Sequence, residues 1–333
     1  QSYVGTASPF NFNGLVRHSY LREKPWMADI QVEIGLKHHR DRSSEELAVV
    51  TRELLTPVAK ALGARIEVIE MPPGPPVLQT MVAEVYGPDD ATRRQVAADL
   101  RAMFEEAEIT VDADSYLQDP HTSWRFVADR EKASRRGVSV ETNNRQLEMA
   151  MGGYILGDVN TDRAVEPMFI YLQMPLALRA QFGRLGQLPV PSVTGAMIPL
   201  TELGHFEEFQ LDDPIFHKDL RAVEFVTGEV TGKLGAPIYA IFELEDLLDG
   251  YTAPDGVRVD TNYIGPPETA LGSALEWTGE WTVTYETFRD MGLAFAGALI
   301  LIYILVVWEF GNFTIPAIVM VPIPLTLIGI VPG

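Results

Sequence analysis

Two long apolar runs near the C-terminal end dominate the hydropathy pattern of this chain. The first, residues 291–310, has no charged side chain before Glu309 and matches the roughly 20 residues that a helix needs to cross a bilayer core. The second, residues 315–331, is slightly shorter and contains several prolines, which a spanning helix tolerates when neighbouring helices pack around it. The pattern predicts transmembrane helices over 288–310 and 315–333. Because those neighbouring helices are missing, we expect the chain to be part of a longer protein.

Shorter periodic stretches ahead of the apolar runs predict a folded α+β region. A capping-box sequence at Ser43 precedes an apolar stripe at helical spacing, which predicts a helix over 43–62. Residues 77–114 have the pattern of strand, amphipathic helix and strand, and residues 222–264 repeat that order. This order is typical of ferredoxin-like split βαβ subdomains. Residues 121–210 interrupt it and are predicted to form an inserted α+β block.

The excess of acidic residues limits the partners that we expect. The 46 Asp and Glu residues outnumber the 26 Lys and Arg residues, which gives a formal net charge of −20. Nucleic acids and anionic lipid surfaces attract basic proteins, so we expect no nucleic-acid partner. The chain contains no cysteine, which excludes disulfides, thiolate metal sites and cysteine nucleophiles.

Motifs of enzymes and cofactor sites are scarce. No complete phosphate-binding loop, serine-hydrolase elbow or zinc-protease motif occurs in the sequence. His38 and His39 are adjacent, so on a strand they point to opposite faces and cannot bind one ion. Met71, Met81 and Met103 are soft metal ligands in principle, although their apolar positions favour core packing. We therefore predict no catalytic residue, no metal site and no cofactor.

Aromatic side chains are concentrated in two parts of the chain. Four of them lie in a loop-forming sequence near the N-terminal end: Phe10, Phe12, Tyr20 and Trp26. Aromatic side chains of this kind often line a ligand pocket, but they also pack against strands, and both interpretations stay open. Just before the first apolar run, Trp277, Trp281 and Tyr285 suit the aromatic belt found at membrane interfaces.

Three stretches in a specific order carry a resemblance to a known family. Residues 126–153 contain a strand, an acidic residue, a charged helix, Gly-Val-Ser from Gly137, a second helix and a Gly-Gly pair. Residues 197–203 read Met-Ile-Pro-Leu-Thr-Glu-Leu, and the second apolar run ends in Pro-Leu-x-x-Ile-Gly from Pro324. Together they resemble the resistance-nodulation-division superfamily of proton-driven inner-membrane transporters, and specifically its multidrug-efflux branch.

The resemblance implies a domain order and a location. Residues 1–75 would be a truncated first porter subdomain, and residues 76–120 with 211–285 would form the second. The inserted block over 121–210 would be a docking subdomain. The large region would lie in the periplasm, and the two predicted helices would lie in the bacterial inner membrane, in contact with lipid.

The resemblance also implies a function. The protein would be a secondary active transporter rather than an enzyme, and it would export small amphiphilic compounds by proton antiport and alternating access. Its coupling residues would lie on helices outside this chain. It would act as a homotrimer with a periplasmic adaptor protein and an outer-membrane channel. By position, the substrate path would include Phe10, Phe12, Tyr20, Trp26, Leu78, Thr80 and Met81.

Two alternatives remain at this point. One is a transporter of the same superfamily that moves metal ions, lipids or proteins. The other is a membrane-anchored periplasmic binding or scaffold module that transports nothing.

Overall fold

The structure is a computed structural model that describes residues 1–9, 11–70, 77–118, 121–159, 168–212, 214–231 and 235–325. The chain forms two compact units. The first combines Gln1–Gln118 with Pro214–Gly333, and the second is Asp119–Asp213.

Helices and strands are interspersed along the described residues, which confirms the predicted α+β class. The helices are α1 (Phe12–Val16), α2 (Ser44–Ala61), α3 (Asp90–Glu106), α4 (Arg130–Arg135), α5 (Val140–Met151), α6 (Leu176–Arg179), α7 (Phe182–Leu185), α8 (Pro237–Leu248), α9 (Glu280–Phe310), α10 (Thr314–Met320) and α11 (Pro322–Leu325). The strands are β1 (Ser2–Val4), β2 (Ala28–Ile30), β3 (Met81–Tyr86), β4 (Thr110–Ser115), β5 (Thr122–Ala128), β6 (Tyr154–Val159), β7 (Met168–Leu172), β8 (Pro189–Pro191), β9 (Met197–Pro199), β10 (Gly204–Gln210), β11 (Phe216–Lys218), β12 (Arg221–Val230), β13 (Asp260–Asn262) and β14 (Ala274–Gly279).

A six-stranded sheet forms the centre of the first unit. Its order is β11-β12-β3-β14-β13, and β4 also pairs with β12. All its pairs are antiparallel except β13 with β14. Helices α3 and α8 pack on one face, where the largest fully buried side chains include Met81, Phe104, Ile241, Leu244 and Trp277. This apolar layer is the main core of the unit.

Local capping explains where two long helices of this unit begin. The hydroxyl of Ser43 accepts the backbone N–H of Glu46 at 3.0 Å, and the Glu46 carboxylate accepts the backbone N–H of Ser43 at 3.0 Å. This confirms the predicted capping box, which satisfies two backbone donors that a helix start leaves open. Asp89 caps α3 in a similar way, since its carboxylate accepts the N–H of Thr92 at 2.8 Å.

The second unit has a smaller core of its own. Strands β5 and β10 form an antiparallel pair, and α5 begins after Ser139, whose hydroxyl accepts the N–H of Thr142 at 3.0 Å. Five buried apolar residues form the centre of the core: Ala133, Val138, Val190, Leu200 and Leu203.

One helix among the described residues is long and apolar enough to cross a membrane. Helix α9 has 31 residues, and none of its most apolar window is buried. The prediction of a second long helix over 315–333 is wrong within the described residues, since α10 ends at Met320 and α11 is a separate short helix. Proline lacks the N–H that continues a helix, so the hydrogen bonds stop after Val321 donates to Ala317 at 3.0 Å. Residues 326–333 lie outside the described residues.

The interfacial role predicted for Trp277 is also wrong. This side chain is fully buried in β14. Its indole N–H donates to Glu245 Oε1 of α8 at 2.7 Å. Trp281 is partly buried at the start of α9, and its indole N–H donates to the carbonyl of Tyr263 at 2.8 Å. Both side chains therefore tie the start of α9 to the folded unit.

Candidate functional site

The six-stranded sheet has a second face, which is polar and which α3 and α8 do not cover. Successive side chains of a strand point to opposite faces. Because Met81, Ala83 and Val85 belong to the core beneath the helices, Val82 and Glu84 lie on the other face of β3.

A cavity of about 320 Å³ opens on this polar face. Four apolar side chains from different parts of the first unit line it: Val16, Val77, Leu78 and Val82. Three charged side chains also line it, namely Glu84, Lys218 and Glu276. Small-molecule sites combine mostly apolar walls with a few placed polar groups, and this cavity has that composition.

The charged side chains of the cavity form an asymmetric network. The Lys218 ammonium donates to both oxygens of Glu84, at 2.8 and 2.7 Å. Glu84 also accepts the hydroxyls of Tyr86 and Thr278, each at 3.0 Å. The nearest oxygen of Glu276, Oε2, lies 3.7 Å from Lys218 Nζ, which is too long for a hydrogen bond. Lys218 therefore neutralises Glu84 directly and Glu276 only at longer range.

The carboxylate of Glu276 is less well neutralised than that of Glu84. Glu276 is only 5% exposed, and its buried Oε2 has no hydrogen-bond partner among the described residues. Burial raises the pKa of the Glu276 carboxyl, Lys218 opposes that shift, and the charge of Glu84 adds to it. The Glu276 carboxylate thus has acceptor capacity that the surrounding side chains leave unused.

A tight turn fixes the position of Lys218. It is the last residue of β11, and only Asp219 and Leu220 separate it from β12. Both turn residues have positive φ angles, 50° and 64°, as in the two-residue hairpin turns that suit twisted strands. Left-handed backbone is costly for a residue with a side chain such as leucine. The sheet therefore holds a strained turn directly beside the charged network.

A second set of ion pairs joins the segment before residue 71 to the sheet. Arg52 binds Asp112 with two nitrogens, at 2.9 Å from Nε to Oδ1 and 2.7 Å from Nη2 to Oδ2. Arg65 Nη1 lies 2.6 Å from Asp114 Oδ1. The contacts fasten this segment to strand β4.

Arg17 also joins the segment before residue 71 to the sheet, through an ion pair with strand β12. Its Nη1 donates to Glu229 Oε1 at 2.7 Å. Glu229 also accepts the hydroxyl of Thr80. Val16, the neighbour of Arg17, lines the cavity, so these ion pairs hold one wall of the cavity in place.

Glu67 lies within this second set. Its carboxylate accepts the side-chain amide of Gln79 at 3.4 Å and lies 4.0 Å from the guanidinium of Arg22. Burial and, next, the charge of Asp114 raise the pKa of Glu67 to about 8, although Arg22 opposes the shift. The carboxyl of Glu67 therefore keeps its proton to a higher pH than an ordinary glutamate does.

The residues predicted to line a substrate path lie in different environments. Leu78 lines the cavity, and Thr80 binds Glu229. Met81 lies in the core on the opposite face of β3, with no exposed surface. The described aromatic residues are more open: Phe12 is 67% exposed, Trp26 55% and Tyr20 37%. Phe10 lies outside the described residues.

The charged residues of the cavity were not predicted from the sequence. One signal for Glu84 was present, since it is a single charged residue in the apolar strand Met-Val-Ala-Glu-Val-Tyr, and buried charges are normally paired. Lys218 and Glu276 lie far away along the chain and carry no such local signal. As for metals, the described residues contain no group of three or more His, Asp or Glu side chains placed to hold an ion.

Comparisons with known proteins relate the whole chain to one family. The sequence model of the AcrB/AcrD/AcrF family matches residues 5–332. The swarming motility protein SwrC of Bacillus subtilis (strain 168) is 21% identical over 249 residues, which are 75% of this chain and 22% of that protein.

Solved structures share the fold. Two crystal forms of a heavy metal efflux pump match with TM-scores of 0.61 and 0.60, at 17% and 15% sequence identity. Each match covers 91% of this chain and 30% of the pump chain. The chain therefore spans less than a third of the length of the proteins it matches.

Proposed function

Because the chain belongs to the AcrB/AcrD/AcrF family, we propose that it forms the periplasmic substrate path and docking region of an efflux pump of the resistance-nodulation-division superfamily. In this proposal residues 1–75 belong to a first porter subdomain, residues 76–120 and 211–285 to a second, and residues 121–210 to a docking subdomain. The pump lies in the bacterial inner membrane and exchanges protons for small amphiphilic compounds. It works as a homotrimer with a periplasmic adaptor protein and an outer-membrane channel.

The observation that carries the proposal is the cavity on the polar face of the sheet. Its volume of about 320 Å³ lies at the lower end of the usual range for small-molecule sites, roughly 300–1,000 Å³. Its walls combine apolar side chains such as Leu78 with the charged network of Glu84, Lys218 and Glu276. An amphiphile needs both kinds of surface.

The contacts around the cavity support alternating access. One wall comes from the segment before residue 71, and it is fastened to the sheet by polar pairs such as Arg65 with Asp114, whose side chains are 43% and 31% exposed. Partly exposed ion pairs contribute only about 0–1 kcal/mol each. The pair of Arg65 with Asp114 can therefore break and form again at low cost, which suits a cleft that admits and then releases its cargo.

The predicted path residues fit this proposal unequally. Leu78 belongs to the cavity wall, and Thr80 belongs to the contact that the cleft must break. The exposed aromatic residues Phe12, Tyr20 and Trp26, together with Phe10, are proposed to guide compounds towards the cavity. Met81, which is buried in the core, is no longer part of the path.

A susceptibility panel tests the export function. A strain that lacks the full-length gene is compared with the parent on cationic, anionic and neutral amphiphiles and on metal salts. We expect hypersensitivity to amphiphiles, reversed by the full-length gene. Hypersensitivity to metal salts alone supports the second candidate, metal export, which the fold shared with a heavy metal efflux pump suggests. Unchanged growth on every compound contradicts both.

A cross-linking experiment tests the movement of the cleft. Arg65→Cys and Asp114→Cys provide a pair within this chain, which has no cysteine of its own. A reducible bis-methanethiosulfonate is expected to stop transport by the full-length double variant, and dithiothreitol is expected to restore it, because the closed cleft cannot exchange cargo. The two single variants are the controls. Full transport with the cross-link formed contradicts an opening cleft.

A further inference from the structure

Glu276 borders the cavity and has one carboxylate oxygen that accepts no hydrogen bond from the described residues. Glu276 is about 95% buried, given its 5% exposure, and its Oε2 has no hydrogen-bond donor among the described residues. The residue also lines the cavity. A buried acceptor without a donor costs free energy, so a ligand that brings a donor to this oxygen recovers that cost.

The charge balance indicates the sign of the ligand. Two carboxylates, those of Glu84 and Glu276, face a single ammonium group, that of Lys218. The turn carboxylate of Asp219 adds negative potential at Glu276. One further positive charge neutralises the network, whereas an anion increases the imbalance.

The apolar walls of the cavity indicate the chemistry of the remainder of the ligand. Val16, Val77, Leu78 and Val82 supply apolar surface, against which a hydrocarbon group is stabilised by the removal of water. An inorganic cation makes no use of these walls. A compact apolar body with one ammonium group uses both the walls and the carboxylates.

The side chain of Lys218 is placed to compete with such a ligand. Its ammonium group already occupies the position between the two carboxylates, yet its side chain is 36% exposed. Lysine has a long flexible stem and a strongly hydrated head, so the ammonium group can turn to solvent when another cation arrives. Glu84 keeps two hydroxyl donors, Tyr86 and Thr278, whichever cation is present.

From these contacts we infer that the cavity binds apolar primary ammonium ions, that Glu276 accepts their N–H, and that Lys218 is a built-in competing cation that sets their affinity. This inference rests on the proposed function and defines the class of compound taken at that site.

Binding to the purified full-length protein tests the inference without relying on transport. Four rigid, soluble probes share one hydrocarbon cage: 1-adamantylammonium, its N,N,N-trimethyl derivative, 1-adamantanol and adamantane-1-carboxylate. Titration calorimetry is expected to give about tenfold tighter binding of the primary ammonium than of the alcohol, because both donate a hydrogen bond to Glu276 but only the ammonium adds the positive charge that balances the two carboxylates. The trimethyl derivative has no N–H to donate and is expected to bind less tightly than the primary ammonium. The carboxylate is expected to bind least.

Two variants separate the roles of the charged residues. Glu276→Gln is expected to remove the preference for the ammonium over the alcohol. Lys218→Met is expected to tighten ammonium binding about tenfold, since the ligand then faces both carboxylates without a competitor. A gain of affinity cannot arise from misfolding, so this variant keeps the test valid if Glu276→Gln is unstable. The matched control is Glu106→Gln. Glu106 is an exposed residue of α3, which packs on the other face of the sheet, so this variant is expected to leave the affinity for every probe unchanged.

The outcomes are distinct. Equal binding of ammonium and alcohol, or no gain with Lys218→Met, overturns the inference even if the pump exports amphiphiles. If no compound is exported while the ammonium preference holds, the proposed function fails and the binding site remains.

Discussion

Carboxylates of the first unit differ in how their charge is balanced. Glu84 is surrounded by an ammonium group and two hydroxyls. Glu67 instead faces another acid, and burial with the charge of Asp114 raises its pKa to about 8. Glu84 and Glu67 have the same side chain, so the difference in charge balance comes from their neighbours in space.

Glu67 predicts a pH dependence of stability. Its pKa in the folded protein lies above the ordinary value of 4.5, so the folded state keeps a proton that the unfolded state releases. The free energy of unfolding therefore falls as the pH rises from 4.5 to about 8, and it levels off above that range. Glu67→Gln removes this loss, which is on the order of 5 kcal/mol.

The melting temperature of the full-length variant checks this prediction. Glu67→Gln is expected to raise it at pH 8 and to leave it nearly unchanged at pH 4.5. The exposed Glu53→Gln on α2 serves as the control. An equal effect of Glu67→Gln at both pH values contradicts the raised pKa.

The junction between β14 and α9 is the most constrained connection in the first unit. Strand β14 pairs with β3 as far as Gly279 opposite Met81, and α9 begins at the next residue. Gly279 has a φ of 87°, and a Cβ atom there would lie 2.6 Å from the carbonyl oxygen of Gln79 and 2.7 Å from that of Thr80. Only glycine fits this turn, because both the backbone angle and the space exclude a side chain.

Gly279→Ala is therefore expected to destabilise the protein by about 2 kcal/mol or more, from left-handed strain and the steric clash together. Gly250→Ala is the matched control, since a Cβ atom at Gly250 meets nothing within 4 Å. Thermal unfolding of both full-length variants provides the measurement. Similar melting temperatures for the two variants show that the junction tolerates a side chain.

Elements with local signals were predictable from the sequence, and elements defined by distant partners were less so. Helices α2, α3 and α5 show capping residues and helical spacing, and the predicted bounds of 43–62 lie within about two residues of the ends of α2. Strand β14 was missed, although Leu275 and Trp277 alternate with polar residues, because its position before the first apolar run suggested an approach to the membrane. The charged network of Glu84, Lys218 and Glu276 could not be predicted either, because its residues are distant along the chain. Its members come from three strands, and only the order β11-β12-β3-β14 brings them together.

At the scale of the whole molecule, α9 is a single continuous helix from the sheet to its apolar end. Its 31 residues span roughly 46 Å at about 1.5 Å per residue. The first turn is tied to the folded unit through the indole of Trp281. We therefore expect a displacement of the apolar part to reach the wall of the cavity, where Thr282 is a lining residue.

A break in this helix is expected to uncouple the two ends. Thr287 is an exposed residue of α9, so Thr287→Pro acts on the backbone by removing one hydrogen bond and introducing a kink. The full-length variant is expected to reach the membrane at normal levels and to lose most of its transport. Thr287→Ala, which keeps the helix, is expected to transport normally. Normal transport by Thr287→Pro contradicts a role for α9 in transmitting movement.

The two faces of the six-stranded sheet are expected to respond differently to substitution. On the helix-covered face, Met81, Val85 and Trp277 fill a closely packed core, in which a change of one side chain demands changes in others. Beside the polar face, the partly exposed side chains of Val16 and Leu78 line the cavity, and a substitution there alters the shape of the cavity without disturbing the core. The cavity can therefore acquire new preferences by single substitutions while the fold persists.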